Sequence, residues 1–161
     1  MSKESIKITK EGLKKLLAKK EKLFKELKKI QGKKGEAAEI GGNAWHDNFS
    51  FEELERQERM LNKRIADISD IINRAELVEP PLNNEFLQIG HIAILEFNDG
   101  SEKKFEIVGF GETDLEASPP KIEYLAPLVR NLLGAEIGTT VKANIGGKMK
   151  NITLVNILRK G

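Results

Sequence analysis

The sequence predicts an α+β protein in two parts: an antiparallel two-helix coiled coil, then a small antiparallel sheet domain with one helix. Three observations predict it. Between residues 10 and 75 apolar side chains recur at steps of three and four, and no proline interrupts them. Glu79-Pro80-Pro81-Leu82-Asn83-Asn84 then stops any helix, because proline lacks the amide donor and restricts the residue before it. Beyond that linker the pattern turns to short alternating runs broken by Asp-Gly and Gly-Gly. The expected domains are therefore 1–79 and 80–161.

The first helix opens at Thr9, whose hydroxyl can cap the amides of the first turn. Leu13, Leu16, Leu23, Leu27 and Ile30 form its stripe, broken once by Lys20 and widened by Leu17 and Phe24. The second begins near Asn48 or Ser50 and runs to about Ala75, with Phe51, Leu54, Leu61, Ile65, Ile68 and Ile72 as its stripe and Glu58 as its polar break. If the two face each other antiparallel, paired positions sum to 88: Leu13 with Ala75, Leu16 with Ile72, Leu23 with Ile65, Leu27 with Leu61. The fold point is then Ala44, inside Gly41-Gly42-Asn43-Ala44-Trp45-His46-Asp47-Asn48. Two helices of this length give a rod on the order of 45 Å, at about 1.5 Å per residue. Met1 to Ile8 reads as a polar lead-in. A dimerisation arm or spacer is the plain alternative for so long a hairpin.

In the second part, residues 89–97 read as a strand, Asn98-Asp99-Gly100-Ser101 as a hairpin turn, and residues 103–108 as the returning strand. Residues 109–120 form a loop, 121–125 a short strand, and 127–133 a short helix ended by Gly134. Residues 140–145 and 149–158 are strands joined at Gly146-Gly147.

Composition bounds the function. The chain has 161 residues, 32% charged and 39% hydrophobic, with a net charge of +2. The charge is unevenly spread: residues 1–34 hold thirteen Lys against four Glu, and residues 35–79 hold eleven acids against five bases. The Lys-rich arm, with Lys14, Lys15, Lys22, Lys25, Lys28 and Lys29, suits a salt-sensitive RNA or DNA contact. It equally suits a solvated helix face with pairs such as Glu21 and Lys25. With no cysteine, disulfides and thiolate metal sites are excluded. No apolar run suits a signal peptide or a membrane span, so a cytoplasmic, non-membrane protein is expected; a monomer is expected as well. No phosphate-loop motif, nucleophile elbow or His/Cys metal spacing occurs.

The order of short motifs along both parts resembles the Gre family of bacterial transcript-cleavage and elongation factors. The resemblance begins at Ile8-Thr9-Lys10-Glu11-Gly12 and continues through Asp47-Asn48, Arg64-Ile65-Ala66-Asp67-Ile68 and Ala75-Glu76-Leu77-Val78. It resumes at Ile89-Gly90, Phe105-Glu106-Ile107-Val108-Gly109, Ala126-Pro127-Leu128, Leu133-Gly134 and the closing strand. The resemblance implies an FKBP-like second domain that docks on RNA polymerase at the rim of its secondary channel. It also implies that the coiled coil enters the channel, and that tip acids help hold a second Mg²⁺ in the polymerase active site, where water cuts backtracked RNA. The factor would have no cofactor of its own, and would assist a nuclease activity that belongs to the polymerase.

Two places depart from the family pattern. The cleavage motif has two acids three residues apart, the second followed by Asn. Here the second is Asp47, and Ala44 stands in place of the first. Cleavage is therefore expected to be weakened, or replaced by the anti-cleavage or regulatory role that other members of the family play in the same channel. His46 is either a proton shuttle near the ion or a surface histidine at a turn. Trp45 either stacks on a base at the 3′ end of the nascent RNA or packs over the seam against Phe49. At the docking edge, Leu125 and Ala126 stand where the family has an acidic residue and Ser before Pro127, so Leu125, Ala126, Pro127 and Leu128 form an apolar contact. For Leu125 and Leu128 core packing is the alternative. A prolyl isomerase is the third reading, disfavoured by the lack of a Trp in the second part.

Overall fold

A computed structural model describes residues 4–41 and 49–160. They divide into two compact units, one formed by residues 13–75 with the residues before Ser5, the other by residues 5–12 and 76–161.

The first unit is the helical pair. Helix α1 spans Lys10–Gly41 and helix α2 spans Phe49–Arg74. Leu23 and Leu27 of α1 and Leu61, Ile65 and Ile68 of α2 are buried in one cluster, flanked by Leu16, Ile30 and Ile72. These are the residues that the antiparallel register joins, so the period-3.5 pattern produces the seam it encodes. The seam is narrower than the apolar stripe. Leu17 and Phe24 stay 48% and 42% exposed, because two helices alone offer no third wall to cover them. The break at Lys20 is absorbed locally, its ammonium lying 6.0 Å from the Phe24 ring centre. The break at Glu58 is answered across the seam: Lys34 Nζ lies 3.6 Å from both Glu58 and Glu55. Helix α2 stops at Arg74, which pairs with Asp70 one turn earlier.

The second unit is built on strands β2 (Ala75–Leu77), β3 (His91–Glu96), β4 (Glu102–Val108), β5 (Lys121–Glu123), β6 (Thr140–Ile145) and β7 (Lys148–Arg159). It also takes in a strand that sequence patterning misses. Residues Ile6–Ile8 form β1, which pairs with β2, so the stretch read as a polar lead-in is structured. Ile6 and Ile8 are buried, the Lys7 carbonyl accepts the Phe110 amide at 2.9 Å, and the Lys7 amide donates to the Tyr124 hydroxyl at 3.1 Å. Residues 5–12 and 76–79 therefore group with the sheet unit, where the sequence boundary at 80 sets them with the helices.

The main sheet has the order β5-β4-β3-β7-β6. Its ladders are antiparallel except β4 with β5, which run parallel, so the sheet is mixed where an all-antiparallel one was expected. The cause is the loop 109–120, which crosses over and returns the chain in the direction of β4. Residues 127–133 are successive turns in place of the expected helix: Val129 bonds back to Ala126, Leu132 to Val129, and only Arg130 reaches a residue four back. Seven residues that begin at Pro127 and are followed by Gly134 are too few to offset the cost of helix nucleation. The turns still bury Val129 and Leu132 against Leu87, Leu95, Ile107, Ile152 and Leu154. The hairpin turn lies where Asp99-Gly100 predicts it, with Gly100 at φ 82°.

Candidate functional site

The residues expected at the tip (Asn43, Ala44, Trp45, His46, Asp47 and Asn48) lie outside the described residues. The structure describes the two helices that lead to them. On the α2 side Glu53 is occupied: Arg56 Nε donates to it at 3.0 Å, and Gln57 Nε2 donates at 3.1 Å. The Arg56 bonds and then the Gln57 bond hold its carboxyl down at about 2. Lys34 stands 5.4 Å from the Phe51 ring centre, so the pair with Glu55 and Glu58 sits beside an aromatic side chain.

The six candidate lysines of the arm, Lys14, Lys15, Lys22, Lys25, Lys28 and Lys29, are all exposed. Lys25 makes the expected i,i+4 pair with Glu21, at 3.7 Å. Of the six, only Lys29 lines a groove of ≈ 320 Å³ between the helices, together with Lys33, Arg56 and Arg64. Glu26 is the one acid in its lining, and Ile30, Met60 and Leu61 form apolar parts of it. The sequence alone singles out the lysines of one helix and misses the arginines opposite. The signal that finds them is the same antiparallel register, which sets residues 56–64 against residues 24–32.

At the expected docking edge, Leu125 is 53% exposed and Pro127 is exposed, whereas Ala126 and Leu128 are half-buried against the sheet core. The four residues thus split: Leu125 and Pro127 present surface, and Leu128 takes the core role. The Tyr124 amide donates to the Val108 carbonyl at 3.0 Å, which ties this edge to β4.

Three polar side chains in the sheet unit organise its interior. His91 is fully buried; its Nδ1 accepts the Gln88 amide at 3.0 Å and its Nε2 lies 2.9 Å from the Asn83 carbonyl. Those partners require the neutral ring with the proton on Nε2. Burial pushes its pKa below the ordinary histidine value; the Asn83 carbonyl pulls it up and Arg159 pulls it down. Glu106, also buried, has Lys160 Nζ at 3.5 Å. Glu112 accepts the Thr9 amide at 3.1 Å and the Thr9 hydroxyl, while Thr9 Oγ1 accepts the Gly12 amide at 3.2 Å. The expected Thr9 cap is therefore present and is itself held by a carboxylate from the 109–120 loop. Among the described residues no three His, Asp or Glu gather as a metal site, and no helix is long and apolar enough to cross a membrane.

Comparison with known proteins names the relatives of this arrangement. Residues 83–159 match the family model described as "Transcription elongation factor, GreA/GreB, C-term". The chain is 32% identical over 144 residues to transcription elongation factor GreA of Thermosipho africanus, covering 88% of this chain and 89% of that protein. The chain belongs to the GreA/GreB family. A second GreA/GreB relative, transcription elongation factor GreA of Thermotoga sp. strain RQ2, is 27% identical over 159 residues, 98% of this chain and 99% of that one. Among solved structures, GreA factor homolog 1 of Thermus thermophilus is similar at 23% identity, with 95% of this chain and 98% of that one covered and a TM-score of 0.44. Both the α+β class and the family expected from the residues are borne out.

Proposed function

We propose that this GreA/GreB-family chain is an accessory transcription elongation factor that binds RNA polymerase, with the helical pair entering the secondary channel. In this reading Asp47 bears on a Mg²⁺ of the polymerase active site and modulates cleavage of backtracked RNA. The observation that carries the reading is the single seam of Leu23, Leu27, Leu61, Ile65 and Ile68, which holds α1 and α2 together and leaves residues 42–48 as the connection between them. Leu125 and Pro127, exposed beside the sheet core, serve as the docking contact. The groove of Lys29, Lys33 and Arg64 supports a phosphate contact to nascent RNA, since its lining carries four cations and one acid.

A second reading has its own observation. Ala44 cannot ligate a metal, so the tip offers one carboxylate where the cleavage motif has two. One carboxylate holds a hydrated Mg²⁺ less well than two, which favours occupancy of the channel with little stimulation of cleavage.

One experiment separates the readings. Backtracked elongation complexes are incubated with the protein, and RNA shortening is followed alongside binding to core polymerase. Weak stimulation that is lost in Asp47→Ala, and raised on the order of tenfold in Ala44→Glu with binding unchanged, supports the tip as a Mg²⁺-directed device. No stimulation by either the wild type or Ala44→Glu, with binding retained, leaves the occupancy reading. Strong stimulation that survives Asp47→Ala refutes the role given to Asp47, and failure to bind polymerase refutes both readings.

A further inference from the structure

The sheet unit carries an open strand edge beside a cleft that neither docking nor the tip uses. Strand β4 pairs with β5 only from Glu106 to Val108. The Glu106 amide points to that side, donating to the Pro120 carbonyl at 2.9 Å. By the two-residue period of a strand, the backbone groups of Lys104 and Glu102 point to the same side. Among the described residues no backbone bond outside the β3 ladder reaches either one. The chain beside them is Pro119-Pro120, and proline has no amide with which to close an edge.

Between this edge and the loop lies an open cleft of ≈ 620 Å³. Phe105, Leu115, Pro119 and Pro120 make its apolar lining, and Lys103 and Lys104 are its charged lining. Leu115 is 65% exposed, a large aliphatic side chain left uncovered next to unpaired backbone. Both lysines are exposed, and among the described residues neither forms an ion pair. The nearby acids Glu102, Asp114 and Glu116 do not line the cleft.

The geometry points to a docking site for an extended, acidic segment of a partner protein, which adds to the Glu102–Phe105 edge of β4 as a further strand. The Lys104 amide and carbonyl supply ladder bonds. One aliphatic side chain of the segment covers Leu115 and Phe105, and its carboxylates, on the other face of the added strand, lie beside Lys104. Strand addition of this kind takes affinity from the main chain and selectivity from alternate side chains. Four residues of edge span roughly 13 Å at about 3.4 Å per residue, so the segment is short and its affinity modest.

The test uses the whole 161-residue chain, ¹⁵N-labelled, and a capped synthetic peptide of alternating valine and glutamate. The expected result is amide shift changes confined to residues 102–105 and 115–121, with Kd raised about tenfold by Lys104→Glu and again by Leu115→Glu. The same peptide N-methylated at alternate amides is expected not to bind, and a valine–lysine peptide is expected not to bind. Equal binding of the N-methylated or the lysine peptide overturns the proposal, as does binding that shifts other residues or no binding at millimolar peptide. Shifts at these residues produced by a single-stranded oligonucleotide, or by raising protein concentration without peptide, also overturn it, because they assign the cleft to nucleic acid or to a second copy of the chain. Circular dichroism of both variants, matching the wild type, ties the loss to the cleft.

Discussion

His91 Nδ1 already holds the Gln88 amide proton, so a second proton on that nitrogen would displace a bond inside the core. The pKa of His91 is lowered from 6.5 by burial first, so between the lowered value and 6.5 the unfolded chain binds more protons than the folded one. Stability therefore is full above pH 6.5 and falls as pH drops below it. Urea unfolding of the sheet unit, followed by the near-ultraviolet signal of Tyr124, is expected to weaken from pH 7 to pH 5. In His91→Gln, which keeps a donor and an acceptor but does not titrate, that slope is expected to flatten. Glu112 belongs to the same scale. Glu112→Ala leaves the Thr9 amide without its partner and is expected to destabilise by about 1–2 kcal/mol, read by thermal unfolding. The Thr9 cap was legible because Thr followed by a helical pattern is a local signal. Its carboxylate partner was not, because Glu112 lies 103 residues away in a loop whose path no local pattern encodes.

The seam shows which elements a sequence specifies by itself. Leu16, Leu23, Leu27 and Ile30 on α1, and Leu61, Ile65, Ile68 and Ile72 on α2, recur at steps of three, four and seven over several turns, and the register followed from that repetition alone. Leu61→Ala is expected to cost about 2–3 kcal/mol, near the low end for a buried leucine because water can reach the sides of a two-helix seam. Leu17→Ala, at a position 48% exposed, is expected to stay within about 0.5 kcal/mol. Helix content followed through urea unfolding distinguishes the two. The short elements behaved otherwise. Ile6-Lys7-Ile8 is one alternation, too brief to stand out, and it is a strand only because Tyr124, Phe110 and Val78 supply its partners. Gly109 records how close that contact is: a Cβ there would meet the Ile8 Cα at 2.8 Å. Gly109→Ala is therefore expected to loosen β1, raising the amide exchange rates of Lys7 and Phe110 relative to those of β3.

For the whole molecule, composition placed the change from helical to sheet patterning at the proline pair, but compactness divides the chain elsewhere. The sheet unit needs residues from both ends of the chain, since Ile6 and Ile8 are buried in it. Removing residues 1–9 is expected to lower the unfolding midpoint of the sheet unit, because each isoleucine contributes on the order of 1.5–3 kcal/mol when buried. The helical pair, followed by its seam leucines, is expected to change less. The fold point at residues 41–48 followed from the antiparallel register, the role given to Asp47 only from the resemblance carried by Asp47-Asn48, and the groove arginines were legible only once the register was known.

Strand β1 has one last consequence, for the order of assembly during synthesis. Lys7 leaves the ribosome 117 residues before Tyr124, its hydroxyl partner. At roughly 5–20 residues per second, that is a delay of roughly 6–25 s. Throughout it β1 lacks the last of its partners, although Val78 and Phe110 emerge sooner, while the leucines of α1 meet those of α2 as soon as the latter emerge. The nascent chain thus zips its helices early and waits for its carboxy-terminal half to complete β1, so a premature stop before Tyr124 releases a product whose opening strand lacks its last partner.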